Sequence, residues 1–173
     1  MAAKTLMSIE EYFNTEFDGA DCEYVDGEII ERNMGQTRHS GIQSWLFYLF
    51  MTMPNRAEIQ ARVELRIKIA ERRYRIPDIS VWRKGPKISE PVPTIAPFLA
   101  IEILSPTDRS IETLQKIREY LGAGIEWIWV IDPYEGRAMV YSHQNPLGES
   151  VTVLRTENPT IELPLERILN PEI

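Results

Sequence analysis

The chain has 173 residues, a length that suits one domain built around one core. Hydrophobic residues make up 43% and charged residues 26%, the balance of an ordinary globular protein. The formal charge of −7 argues against a surface that grips nucleic acid everywhere, because phosphate neutralisation needs clustered Lys and Arg, but it leaves room for a local basic groove. Cys22 is the single cysteine, which excludes an internal disulfide and a thiolate metal cage and makes a reducing, cytoplasmic compartment the natural expectation.

From Met1 to Glu10 there is Lys4 but no long apolar run, so neither a signal peptide nor a membrane span is expected. Ser8-Ile9-Glu10-Glu11 matches a capping box and starts a short helix through Phe13. Glu23 to Ile30 reads as two strands joined at Asp26-Gly27, the signal of a type I′ hairpin. Between Ser40 and Met53, Ile42, Leu46, Leu49, Phe50 and Met53 recur at three- and four-residue steps, which predicts a core-facing helix closed by Pro54.

The period then changes. Val63, Leu65, Ile67 and Ile69 alternate with Arg62, Glu64, Arg66 and Lys68, the pattern of a half-buried strand. After a turn at Glu71-Arg72-Arg73, Tyr74 to Trp82 reads as a second strand, so the pair is expected to form one long antiparallel hairpin. Pro77 has no N–H for a ladder and belongs at an edge or a bulge. A proline-rich loop follows from Lys84 to Pro97, and Phe98 to Leu104 reads as a strand buried on both faces. A helix is expected from Ser110 to Leu121, stopped by Gly122 and Gly124, then a strand from Glu126 to Ile131, a turn at Asp132 to Gly136, and a return strand from Arg137 to Ser142. Strand, helix, strand in that order implies a right-handed crossover between parallel strands. The expected class is α/β (α+β): a mixed central sheet flanked by helices, preceded by an N-terminal helix and a hairpin, in a single domain over residues 1–173.

Three charged residues stand where apolar ones would be expected: Asp78, Glu102 and, on the following helix, Lys116. A carboxylate in an apolar strand costs several kcal/mol unless it is paired or bound to a metal. Alternation places Glu102 on one face with Ala100 and Leu104, and Asp78 on one face with Ile76 and Ser80. On the helix, Asp108, Glu112, Lys116 and Tyr120 share a stripe beside a core stripe of Leu114, Ile117 and Leu121, which puts Lys116 in reach of the Glu102 strand. Two carboxylates at strand ends suit Mg²⁺ or Mn²⁺, and such an ion with an ammonium nearby is the equipment of phosphodiester hydrolysis.

Each of these residues also has a plainer explanation. Asp78 or Glu102 can pair with an arginine such as Arg75 or Arg109, and Lys116 can form an i, i+4 pair with Glu112. Glu23 and Glu28 flank the hairpin turn, where an exposed acid is usual. His39 precedes a helix, where capping or surface exposure is common. Trp127, Trp129 and Tyr134 suit core packing or a dimer interface better than base stacking. Arg62, Arg66, Lys68, Arg72, Arg73 and Arg75 make the one basic concentration, either a solvated face or a phosphate-tracking surface.

Tyr24-Val25-Asp26-Gly27-Glu28, His39, Pro77-Asp78-Ile79-Ser80-Val81, Ile101-Glu102-Ile103-Leu104-Ser105-Pro106-Thr107, Lys116 with Tyr120, and Gly124 to Pro133 together resemble the Uma2 family of restriction-endonuclease-like proteins. The resemblance implies the PD-(D/E)xK nuclease fold, in which an aspartate and a glutamate bind a divalent metal and a lysine orients the attacking water. It makes Asp78 and Glu102 the metal ligands, with the Ile103 carbonyl as a third. Lys116 becomes the catalytic lysine, and Glu23, Glu28 and His39 auxiliary residues. One position departs from the wider superfamily: Leu104 stands two residues after Glu102, where many members carry the lysine. The implied activity is a Mg²⁺-dependent endonuclease acting on DNA, with a symmetric homodimer suited to cutting two strands and no membrane partner. The alternatives are an inactive nuclease-like binding module, motivated by the acidic charge and Leu104, and a phosphodiesterase of small nucleotides.

Overall fold

Ser8 closes the first helix from both sides. The Glu11 backbone N–H donates to Ser8 Oγ at 3.2 Å, and the Ser8 N–H donates to Glu11 Oε2 at 2.8 Å, so α1 (Ile9–Asn14) begins with two of its orphan donors satisfied. The computed structural model describes residues 6–18, 21–32, 36–85, 88 and 91–171; Lys4 and Pro86 lie outside that set. Strands β1 (Glu23–Val25) and β2 (Glu28–Ile30) form the hairpin, with Asp26 at φ 53° and Gly27 at φ 103°, both in the left-handed region that a type I′ turn demands. Helix α2 runs over Thr37–Thr52.

The long hairpin expected from Val63 to Trp82 is broken in two. Its first arm divides into β3 (Ile59–Val63) and β4 (Ile67–Ala70), its second into β5 (Arg73–Arg75) and β6 (Ile79–Arg83). β4 and β5 join the first hairpin in a four-stranded sheet of order β2-β1-β5-β4, while β3 and β6 enter a separate six-stranded sheet. Two residues explain the break. Pro77 cannot donate to a ladder, and Glu64 takes φ 49°, which turns the chain out of the strand. The Glu64 N–H donates to the Asp78 carbonyl at 3.1 Å and ties the two breaks together. Asp78 therefore sits in a bend just before β6 rather than within a strand.

In the six-stranded sheet the order is β10-β9-β8-β7-β6-β3, with β7 (Leu99–Ile103), β8 (Trp127–Asp132), β9 (Arg137–Ser142) and β10 (Glu149–Val151). β7 and β8 are parallel and are linked through helix α3 (Ser110–Gly122); the other neighbours are antiparallel. Alternation sorts the side chains. Ile79, Val81, Leu99, Ile101, Trp129 and Ile131 meet Ile42, Leu46, Leu49 and Phe50 of α2, whereas Trp82, Ala100, Ile128 and Val130 meet Ile117 and Tyr120 of α3. Ile67 of the smaller sheet packs into this second cluster, bringing the hairpin unit against α3.

Leu114, expected in the core, is 44% exposed. At about 100° per residue, a face centred on Lys116, Ile117 and Tyr120 turns Leu114 outward. Beyond Ser142, β11 (Val153–Thr156), β12 (Ile161–Pro164) and α4 (Leu165–Leu169) close the α2 side with Leu154, Ile161, Leu163 and Ile168. Of the Lys84–Pro97 loop, the described residues form no helix or strand after Arg83. Among the described residues no helix is long and apolar enough to cross a membrane.

Candidate active site

The register of β6 against β7 pairs Ile79 with Ile101 and Ser80 with Ala100, so one further step brings Asp78 opposite Glu102 at the end of the ladder. Asp78 is 4% exposed. Its Oδ2 accepts the Ile103 backbone N–H at 2.7 Å and lies 3.2 Å from His39 Nε2; its Oδ1 accepts from Arg32 Nη2 at 2.9 Å. Neither arginine considered from the sequence is this partner: Arg75 donates to Glu23 and Glu119, and Arg109 faces Glu112 at 3.9 Å. Arg32, which follows β2 in irregular chain, carried no periodic signal that pointed to the site.

Glu102 lies on β7, every residue of which is buried. Its Oε1 accepts the Tyr120 hydroxyl at 2.5 Å, and its Oε2 lies 3.4 Å from Lys116 Nζ. Lys116 thus turns away from Glu112 and toward the sheet, and its nearer partner is Glu23 Oε1 at 3.0 Å. Glu23 is not an exposed turn acid. It is 1% exposed, receives Arg75 Nη1 at 2.7 Å and the Ile76 N–H at 3.1 Å, and lines the same cavity. Glu28, by contrast, is exposed on β2 and does not line the cavity. His39 is buried in the first turns of α2 rather than on the surface, with Nδ1 lacking a partner among the described residues.

A cavity of about 440 Å³ opens onto Glu23, Arg32, His39, Asp78, Glu102 and Lys116. Burial raises the Glu102 carboxyl to about 7; Lys116 opposes the rise, and the like charges of Asp78 and Glu23 add to it. Asp78 moves the other way: burial is overcome by His39, the Ile103 N–H and Arg32, which hold its carboxyl below the usual range. Burial also works against the charge on Lys116, yet Glu102 and Glu23 keep the ammonium well above its ordinary pKa. Glu23 lies below the usual carboxylate range, burial being outweighed by Lys116, Arg75 and the Ile76 N–H. His39 is raised, because Asp78 outweighs burial.

The donor set fits a hard divalent cation. Asp78 and Glu102 offer carboxylate oxygens to one polar cavity, and Glu102, raised chiefly by burial and further by the like charges of Asp78 and Glu23, is a carboxylate whose ionised form a cation would favour. Among the described residues no group of three or more His, Cys, Asp or Glu is gathered to hold a metal. An ion here would keep several waters beside its two carboxylates, the habit of Mg²⁺.

The basic concentration between Arg62 and Arg75 is largely absorbed into structure. Arg66 pairs with Asp21 and stacks over Tyr12 at 4.3 Å, Arg73 pairs with Asp26 and Glu119, and Arg75 is buried. Trp129 is fully buried and Trp127 packs against the same core, while Tyr134 is a surface residue whose hydroxyl donates to Gln36.

A model of the Uma2 family, described as "Putative restriction endonuclease", matches residues 9–171. The chain is also similar to a crystal structure from Anabaena variabilis, described as "a putative nuclease belonging to DUF820", with TM-score 0.76 and 27% identity over 94% of this chain and 97% of the other. No curated protein matches the chain.

Proposed function

The chain belongs to the Uma2 family of restriction-endonuclease-like proteins, and from that premise we propose that it is a Mg²⁺- or Mn²⁺-dependent endonuclease hydrolysing DNA, with Asp78, Glu102 and Lys116 as its active-site residues in one domain over residues 1–173. The observation that carries this reading is the convergence of two buried carboxylates and a half-buried ammonium on one cavity. Asp78 and Glu102, with the Ile103 carbonyl, are the residues to hold the ion. When bound, the ion supplies charge stabilisation at the phosphoryl group and lowers the pKa of a water.

The protein's own groups divide the remaining work. Lys116 stays protonated between Glu23 and Glu102, so it acts as a donor that orients water and stabilises developing negative charge, not as a base. Tyr120 fixes the rotamer of Glu102, and His39 with the Ile103 N–H fixes that of Asp78. A symmetric homodimer in a reducing cytoplasm would supply one such site for each strand of a duplex.

A binding module without turnover is favoured by one observation: each carboxylate already has an internal cation, Arg32 on Asp78 and Lys116 on Glu102. The test is incubation of the pure protein with duplex DNA, single-stranded DNA and RNA in Mg²⁺, Mn²⁺ or EDTA, beside D78N and E102Q. The nuclease reading expects cleavage that needs the metal and falls at least about 100-fold in both variants while each keeps a cooperative melt. Binding unaffected by metal or by either substitution, with no cleavage of any substrate, supports the module instead.

A further inference from the structure

The two oxygens of Asp78 are not equivalent. Oδ2 is held by the Ile103 backbone N–H at 2.7 Å and by His39 Nε2 at 3.2 Å, groups fixed by the central strand β7 and by helix α2. Oδ1 has one polar partner among the described residues, Arg32 Nη2 at 2.9 Å, and Arg32 belongs to irregular chain after β2. The same guanidinium reaches toward the half-exposed Glu64, with Nη1 3.6 Å from Oε1, so it has a second carboxylate beside it. One oxygen of Asp78 is therefore built in by the core, and the other is served by a long side chain from irregular chain that has Glu64 as a second carboxylate.

We infer that Arg32 is an exchangeable stand-in for the divalent cation on Asp78 Oδ1: the ion displaces it, and the released guanidinium then grips a phosphate of the nucleic acid. This rests on the proposed reading of Asp78 as a metal ligand. A guanidinium and a divalent cation on one carboxylate oxygen repel each other, so occupancy by one disfavours the other. The exchange keeps a buried carboxylate compensated before the metal arrives, which an acid so deeply buried requires. Once displaced, Arg32 remains in the wall of the cavity that also holds Lys116 and Arg109, and its planar fork matches two phosphate oxygens at once.

Titration with Mn²⁺, read by calorimetry or electron paramagnetic resonance on wild type, R32M, R32K and D78N, tests the exchange without relying on turnover. R32M, near in volume and without charge, is expected to bind Mn²⁺ roughly tenfold more tightly than wild type, with R32K close to wild type. Fluorescence anisotropy of a short duplex in Ca²⁺ should show R32M binding DNA about tenfold more weakly. If D78N abolishes Mn²⁺ binding but folded R32M binds it no better than wild type, Arg32 does not compete for the oxygen and the inference falls while the metal site stands. Unchanged duplex affinity in R32M overturns the phosphate role. Mn²⁺ binding indifferent to D78N removes the metal reading of Asp78, and the inference with it.

Discussion

Lys116 Nζ and Glu23 Oε1 stand 3.0 Å apart, bridging helix α3 and the first strand of the N-terminal hairpin. The contact is one end of a chain of alternating charges. Glu23 Oε2 meets Arg75 Nη1 at 2.7 Å, Arg75 Nε meets Glu119 Oε2 at 2.7 Å, and Glu119 Oε1 meets Arg73 Nη1 at 3.2 Å. Lys116 and Glu119 lie on α3, while Glu23, Arg73 and Arg75 lie on the four-stranded sheet. The small sheet is therefore a second support for the lysine that faces Glu102.

Removing Glu23 tests that support. E23A leaves Arg75 and Lys116 short of a buried counter-charge, which should cost about 3–5 kcal/mol of stability in urea unfolding. E23Q keeps an oxygen for the Ile76 N–H and should fall between the two. If the cleavage proposed above is observed, E23Q should lower kcat with little change in KM, because Lys116 loses its nearer anchor and not its charge. An E23A protein within about 0.5 kcal/mol of wild type would show that the network carries no weight.

Tyr120 offers a cleaner deletion. Its hydroxyl donates to Glu102 at 2.5 Å in a fully buried setting, and phenylalanine fills the same space without the donor. Y120F should lose about 1.5–3 kcal/mol, the range for a hydrogen bond to a charged group. A melting profile superimposable on wild type would mean that the bond contributes nothing to the fold.

Much of the sheet was legible because the nearly continuous apolar runs along Leu99 to Ile103 and Trp127 to Ile131 match strands that the structure buries on both faces. The capping box at Ser8 and the Asp26-Gly27 turn were legible for a similar reason: both are local chemistry, fixed by neighbours in sequence. The break was legible only by half: Pro77 pointed to an edge or a bulge in the second arm, but alternation runs through Glu64 in the first, and the left-handed backbone that diverts the chain there leaves no trace in the pattern. The partners of Asp78 were equally hidden. Arg32 and His39 arrive from 46 and 39 residues earlier in the chain, and long-range pairing of charged groups leaves no periodic trace. Glu23 was noticed as an acid beside a turn, but its burial depends on Arg75, Ile76 and Lys116 closing over it, which no local pattern reports.

The two carboxylates should respond oppositely to neutralisation. Asp78 is compensated by Arg32, His39 and the Ile103 N–H, so D78N strands a buried guanidinium and should cost about 3–5 kcal/mol in the absence of metal. Glu102 shares its lysine with Glu23, so the site retains a charged partner for Lys116 when Glu102 becomes glutamine. Chemical unfolding in EDTA distinguishes the two. Equal losses in D78N and E102Q would contradict the asymmetry read from their partners.

The pH dependence carries that asymmetry further. Glu102 has an ordinary value of 4.5 and titrates at about 7 in the fold, chiefly through burial. Between those values the native chain keeps a proton that the unfolded chain has released, so stability falls as pH rises through the window. His39 acts in the same sense: its raised pKa contributes stability that is present below its ordinary 6.5 and lost as pH climbs through the folded value. Asp78, lowered from 3.8, contributes stability above its ordinary value and loses it only in acid, so it does not tilt this window. In EDTA the melting temperature should therefore drop by several degrees from about pH 5 to about pH 8. E102Q should flatten most of that slope and exceed wild type by about 2 kcal/mol at the alkaline end, while showing none of the proposed cleavage. Added Mn²⁺ should raise the wild-type melting temperature at the alkaline end more than that of E102Q, because an ion that binds only the native state stabilises it in proportion to its affinity. A flat wild-type profile, or an E102Q protein that melts below wild type at about pH 8, would mean that Lys116 and Tyr120 compensate Glu102 fully and that the cavity carries no excess of negative charge.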